Sequence, residues 1–165
     1  DALKSEYAFD ALIVPKSRFA NDIHRPRLHA MPTANWTNEP HGLIKTEDGF
    51  HLYHQRNPAG PFWSHIRWGH LKSEDGVTWE VLPDALSPEL QDANAGYDMK
   101  GIWSGDTVTN EGTTFNFYTQ VNHGSSFNPG IALATSTDPS QTVWEKQGPL
   151  FGVQGARDFR DPYLW

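Results

Sequence analysis

Apolar and polar residues alternate along most of this chain with a period of two, the period of a strand with one face turned inward. In Phe50-His51-Leu52-Tyr53-His54-Gln55, the residues Phe50, Leu52 and His54 share one face. Glu47-Asp48-Gly49 ahead of them reads as a tight turn, and 42–45 as the partner strand. A second pair, 66–73 and 78–82, flanks Glu74-Asp75-Gly76. The same order returns further on. Strands expected over 105–109 and 113–120 flank Asn110-Glu111-Gly112, and strands over 131–136 and 143–146 flank Thr137-Asp138-Pro139-Ser140. No segment carries a helical apolar period, so the fold class is all-β. Residues 1–24 read as an N-terminal extension whose one apolar run, 8–14, stops at Pro15; residues 25–165 read as the domain.

The strands also repeat. Tyr53 and Gln55 recur as Tyr118 and Gln120, 65 positions later, and Trp79-Glu80 recurs as Trp144-Glu145 at the same interval. Ser73 before its turn recurs as Ser136. Each unit holds four short antiparallel strands, which is the pattern of a β-propeller blade. At about 60 residues per unit, the chain has room for two blades and the first strand of a third, expected over 161–165. Propellers close with about 4 to 8 blades, so the missing ones are expected from the same or another chain.

Composition adds a few exclusions. Aromatic residues make up 13%, seven of them Trp, and 14 Gly and 12 Pro supply turns, all of which suits a β protein. Thirteen basic against twenty acidic residues give −7, with no basic run, which argues against a nucleic-acid partner. No stretch approaches the roughly 20 apolar residues of a membrane helix. Cysteine is absent, which excludes disulfides, thiol catalysis and thiolate metal sites. His51 and His54 fall on opposite strand faces, and neither a metal nor another cofactor is expected. The Asn35-Trp36-Thr37 sequon lies against the pocket considered next, where a glycan would obstruct it, and reads as chance.

In a propeller, the innermost strand of each blade faces the axis. The repeat places Glu39, Asp106 and Asp161 at the starts of those strands, with Trp36, Trp63 and Trp103 near them. Paired carboxylates suit cleavage of a glycosidic bond, in which one attacks or stabilises the cationic centre while another moves protons. On pattern alone, surface acids and core tryptophans are the simpler reading. The polar loop Asn122-His123-Gly124-Ser125-Ser126 reads as a pocket rim or as a plain turn.

Four motifs in order change that balance. Trp36-Thr37-Asn38-Glu39-Pro40-His41-Gly42 resembles the WMNDPNG motif of family 32 glycoside hydrolases, the invertase, inulinase and levanase family. The stretch 50–86 resembles the family's next block and keeps Tyr53, Gln55, Asn57-Pro58, Trp63, Trp68-Gly69-His70 and Trp79. Gly101-Ile102-Trp103-Ser104-Gly105 resembles its FSGS segment, and Arg160-Asp161-Pro162 its RDP motif. The resemblance implies a five-bladed propeller and a retaining attack on the β-fructofuranosyl bonds of sucrose or fructans. It implies Glu39 as the nucleophile and Asp161 as the transition-state stabiliser, held ionised by Arg160. It implies that Asn38, Gln55, Trp63, Trp103 and Ser104 line the pocket. The partner would be a fructose-containing oligo- or polysaccharide.

Two departures stand out. The family nucleophile is Asp, whereas this chain has Glu39, with His41 in place of the usual Asn. Moving a carboxylate by about an ångström can cost about 100-fold in rate, so an impaired, sugar-binding pseudoenzyme is the alternative, with a fructosyltransferase beside it. The family's acid/base Glu lies in an EC motif, which a sequence without cysteine does not contain. The 165 residues alone are therefore expected not to hydrolyse sucrose or inulin.

Overall fold

The computed structural model describes residues 14–64, 66–88, 97–98, 101–121, 129–152 and 158–165. Among these residues, eight strands form two four-stranded antiparallel sheets, each in simple sequence order. The first holds β1 (Trp36–Thr46), β2 (Gly49–Asn57), β3 (Arg67–Ser73) and β4 (Glu80–Leu86). The second holds β5 (Gly101–Asn110), β6 (Thr113–Val121), β7 (Pro129–Ser136) and β8 (Glu145–Gly152). Almost no helix accompanies them: a 3-10 turn spans Lys16–Phe19, within the part of the extension that is described. The apolar run 8–14 lies outside the described residues except for Val14. No described helix is long and apolar enough to cross a membrane.

Local chemistry explains the corners. Glu111 and Gly112 both take positive φ, 48° and 78°, between the paired Asn110 and Thr113. That is a two-residue hairpin whose twist matches the strands it joins. Ser73-Glu74-Asp75 and Ser136-Thr137-Asp138 use one device twice. Asp75 accepts the backbone N–H groups of Val77 and Thr78, and Asp138 those of Ser140, Thr142 and Val143. The Ser140 hydroxyl at Asp138 and the Thr78 N–H at Asp75 foremost, with the other bonds beside them, hold both carboxyls far below the ordinary Asp range. Trp79 and Trp144 follow as the last residues before β4 and β8, so the repeat seen in the sequence is a repeat of structure.

Strand limits differ from expectation in an instructive way. β1 begins at Trp36 and β5 at Gly101, well before positions 42 and 105. Bulges between Thr37 and Pro40, and between Trp103 and Gly105, break the two-residue alternation that marks a strand. β4 and β8 run later than expected and contain Pro83 and Pro149. Both are the last strands of their sheets, where a missing N–H is tolerated.

The sheets pack face to face around Tyr53, Trp68, Leu86, Ile102, Tyr118, Ala132 and Ala134. Repeat partners Tyr53 and Tyr118 are both fully buried. β1 lies beside β5 at a glycine: Gly42 takes φ 60°, and a Cβ there would fall 2.4 Å from Thr107 Oγ1. Two links stitch the sheets near the strand starts. Ile102 N–H donates to the Ile66 carbonyl at 2.8 Å, and Trp68 Nε1–H donates to the Trp103 carbonyl at 2.8 Å. Further out, Lys146 Nζ reaches the fully buried Asp98 carboxylate at 2.5 Å.

Residues 158–165 carry no sheet pairing among the described residues. They attach to the second sheet through side-chain acceptors instead. Asp161 N–H donates to Thr119 Oγ1 at 2.8 Å, and Leu164 N–H donates to Asp106 Oδ2 at 2.9 Å. Asp106 thus anchors residues 158–165 to β5, while Ser104, 65 positions after Glu39, holds the place equivalent to it.

Candidate active site

Two bulges build the site. Glu39 sits in the one on β1, next to Pro40, whose ring offers no N–H to the ladder. Ser104, 65 residues later, sits in the one on β5. There Gly105 lets the strand close up, since an added Cβ would lie 1.9 Å from the Phe117 carbonyl oxygen. A bulge turns a side chain out of the regular in-and-out alternation. Here both bulged residues turn toward each other across the two sheets. The Ser104 hydroxyl donates to Glu39 Oε1. Gln55, from β2, donates through Nε2 to the same Oε1 at 2.9 Å and lies 2.6 Å from Ser104 Oγ. Gln55 and Ser104 are buried while Glu39 is exposed, so a carboxylate stands on a fixed polar base. Both donors take Oε1; among the described residues Oε2 has no donor.

Asp161 joins from the far end of the chain. It takes φ 58°, an unusual conformation for a residue with a Cβ. Its carboxyl is pushed up in pKa by partial burial first and by the Glu39 carboxylate as well, against the opposing pull of Arg160. The two acids, 122 positions apart, therefore share one electrostatic field. Arg160 Nε lies 3.8 Å from Asp161 Oδ2 and 3.8 Å from Asp158 Oδ1. Its guanidinium also lies 5.9 Å from the Trp103 ring centre, and Trp103 meets Trp63 edge-on at 5.8 Å. Trp103 is nearly buried, whereas Trp63 is 56% exposed and can offer a face to a ligand. Asn38 lies exposed beside Glu39. Trp36 instead packs on Ile66, Trp103 and Val121 beneath the site.

Behind Glu39 the chain turns inward at His41. Its ring lies 4.3 Å from Trp68. Burial first, then the neighbouring His54, push its pKa down to about 3, while the Glu39 carbonyl lies near enough to oppose this without reaching hydrogen-bond geometry. The floor of the site is thus uncharged at neutral pH. His51 meets His70 rather than His54, Nδ1 to Nε2 at 2.9 Å.

Known proteins match this arrangement over nearly the whole chain. The model of the glycosyl hydrolases family 32 N-terminal domain matches residues 29–165. The chain belongs to glycoside hydrolase family 32. A levanase of Bacillus subtilis is 36% identical over 172 residues, covering 96% of this chain and 23% of its own. A sucrose-6-phosphate hydrolase of Zymomonas mobilis is 34% identical, covering 85% of this chain and 28% of its own. The solved GH32 beta-fructofuranosidase BmSUC1 of Bombyx mori superimposes with a TM-score of 0.79 at 28% identity, covering all of this chain and 35% of that one. Fructan 1-exohydrolase IIa of Cichorium intybus in complex with 1-kestose gives a TM-score of 0.71 at 32% identity, covering 83% and 26%. This family 32 chain thus spans about a quarter to a third of the length of such relatives. Its two sheets are two blades of the five-bladed propeller that those structures share.

Sequence reasoning placed Glu39, Gln55, Ser104, Arg160, Asp161, Trp63 and Trp103 in one site, and they converge here. It missed Thr119, which accepts the Asp161 N–H and donates to the Ser104 carbonyl at 2.9 Å. The repeat held the signal, since Thr119 lies between the paired markers Tyr118 and Gln120. Arg157 and the polar loop 122–126 lie outside the described residues.

Proposed function

We propose that this chain supplies the fructosyl-binding half of a retaining glycosidase that cleaves β-fructofuranosyl bonds in sucrose or a fructan. The observation that carries this is the single-oxygen grip on Glu39. With Oε1 held by Gln55 and Ser104, Oε2 is left as the attacking atom. It forms a bond to the anomeric carbon as the bond to the leaving oxygen breaks, and that oxygen takes a proton. Water then reverses the attack. Asp161, near enough to feel Glu39, binds ring hydroxyls more tightly as positive charge develops, with Arg160 keeping it ionised. Retaining enzymes hold the nucleophile and the acid/base carboxyl about 5 to 5.5 Å apart, so the proton donor is a third group, expected at about that distance from Glu39. Asn38, Trp63 and Trp103 enclose the sugar. The named relatives act on sucrose phosphate, fructan or levan, which supports this substrate class.

Glu in place of the family Asp fits the same geometry, because the Gln55 and Ser104 donors meet the longer side chain at its end. The pocket is built for Glu39. We place the remaining blades, and the acid that protonates the leaving group, in further sequence of this protein or in a second chain. Leu150 and Phe151 on β8, 45% and 59% exposed, form an apolar face for the next blade. The test uses the protein at its native length on sucrose, inulin and levan. Glu39→Gln is expected to lose at least about a thousandfold in kcat, and Glu39→Asp about a hundredfold. A gain on Glu39→Asp would instead mark Glu39 as a degraded nucleophile in a sugar-binding protein.

A further inference from the structure

We propose that Thr119 is a positioning residue that sets Asp161 in register with Glu39; this rests on the reading of Glu39 as nucleophile and Asp161 as transition-state stabiliser. Thr119 is fully buried on β6, opposite the β5 bulge. Its hydroxyl hydrogen goes to the Ser104 carbonyl at 2.9 Å, and its oxygen accepts the Asp161 N–H at 2.8 Å. The Ser104 hydroxyl in turn donates to Glu39. Hydrogen bonds joined through the covalent frame of Ser104 therefore link the Asp161 backbone to the Glu39 carboxylate, and the Thr119 hydroxyl among them touches neither carboxylate.

Both ends of that hydroxyl do something the backbone cannot. The bulge takes Ser104 out of the paired register, so its carbonyl needs a donor from elsewhere, and Thr119 supplies it. Asp161 is held at φ 58°, a conformation sparsely populated by residues with a Cβ and one that Asp adopts more readily than most. Residues 158–165 have no sheet pairing among the described residues to impose it, so the N–H bond to Thr119 is the restraint on the Asp161 backbone, beside the Arg160 contact to its carboxyl. Valine has the shape of threonine without the hydroxyl. It would leave the Ser104 carbonyl without this donor and free Asp161 to relax. A displacement of about an ångström at a reacting centre costs about 100-fold.

The experiment compares wild type, Thr119→Val and Thr119→Ser at native length, with kcat and KM on sucrose and a thermal melt for each. Thr119→Val is expected to lose about 100-fold in kcat with KM within about threefold, because Asp161 works in the transition state. Thr119→Ser keeps the hydroxyl and is expected within about threefold of wild type. A merely structural threonine would lower the melting temperature of both variants and leave kcat alone. Wild-type kcat in Thr119→Val, or an equal loss in Thr119→Ser, overturns the proposal. Should the valine variant not fold, Thr119→Ala, which cannot clash, carries the same expectation. An inactive wild type refutes the proposed function and removes the pair that Thr119 would register.

Discussion

Acidification should unfold this protein well above the pH at which its carboxylates titrate, and the cause is the set of histidines beneath the site. Burial is the main reason that His41, His54 and His70 stay neutral down to about 3, 4 and 3. Each has a specific reason to resist charging. His41 lies against the Trp68 ring, and His70 stacks on Tyr53 at 5.0 Å. His54 is buried, and its Nε2 has no hydrogen-bond partner among the described residues. Once unfolded, all three take up a proton near the free-imidazole value of about 6.5. The unfolded chain therefore binds more protons than the folded one between pH 6.5 and the folded values. Stability is full above about 6.5 and falls as the pH drops through that window.

The magnitude is large. At pH 5, about 1.5 units below the free value, each histidine costs about 2 kcal/mol, and the three together about 6. A typical domain has about 5–15 kcal/mol in all. At about 2–4 °C per kcal/mol for a chain of this size, the melting temperature should fall by at least about 12 °C between pH 7 and pH 5. Tryptophan fluorescence reads this directly, because Trp68 sits in the affected core. His41→Asn should remove about a third of the fall, whatever it does to stability at pH 7. A melting temperature constant within about 3 °C from pH 7 to pH 5 would refute the argument.

Two further substitutions probe the seam between the sheets. Gly42→Ala places a Cβ 2.4 Å from Thr107 Oγ1 and 3.2 Å from Tyr53 at a φ of 60°. It should cost about 2–4 kcal/mol, read as a lower urea midpoint with an unchanged slope. Lys146→Met removes a cation 2.5 Å from the buried Asp98 carboxylate and should lower the urea midpoint. Adding Asp98→Asn to it should recover a large part of that loss, and no recovery would contradict the charge explanation.

What could be read from the sequence was set by periodicity. Tyr53 and Tyr118, Gln55 and Gln120, and Trp79 and Trp144 occupy equivalent places in or just before the strands of the two sheets, and repetition made them visible. The motif residues at the strand starts were hidden for the same reason in reverse. A bulge inserts one residue and flips everything before it to the other face, so Trp36-Thr37-Asn38-Glu39 does not alternate and was left out of its strand. Thr119 stayed unseen because its role lies in a backbone N–H and a backbone carbonyl, and neither leaves a mark on the identity of its partner.

The kinks carrying Glu39 and Ser104 separate two jobs that most strand residues must do at once. A side chain at the crest of such a kink answers to no ladder partner, so evolution can exchange acid for hydroxyl, or Asp for Glu, without disturbing the hydrogen bonds on either side. The blade behind it serves as an unchanging handle, and the crest as an interchangeable tool. On that view new specificities in this architecture should arise first at these crests, at small cost to folding.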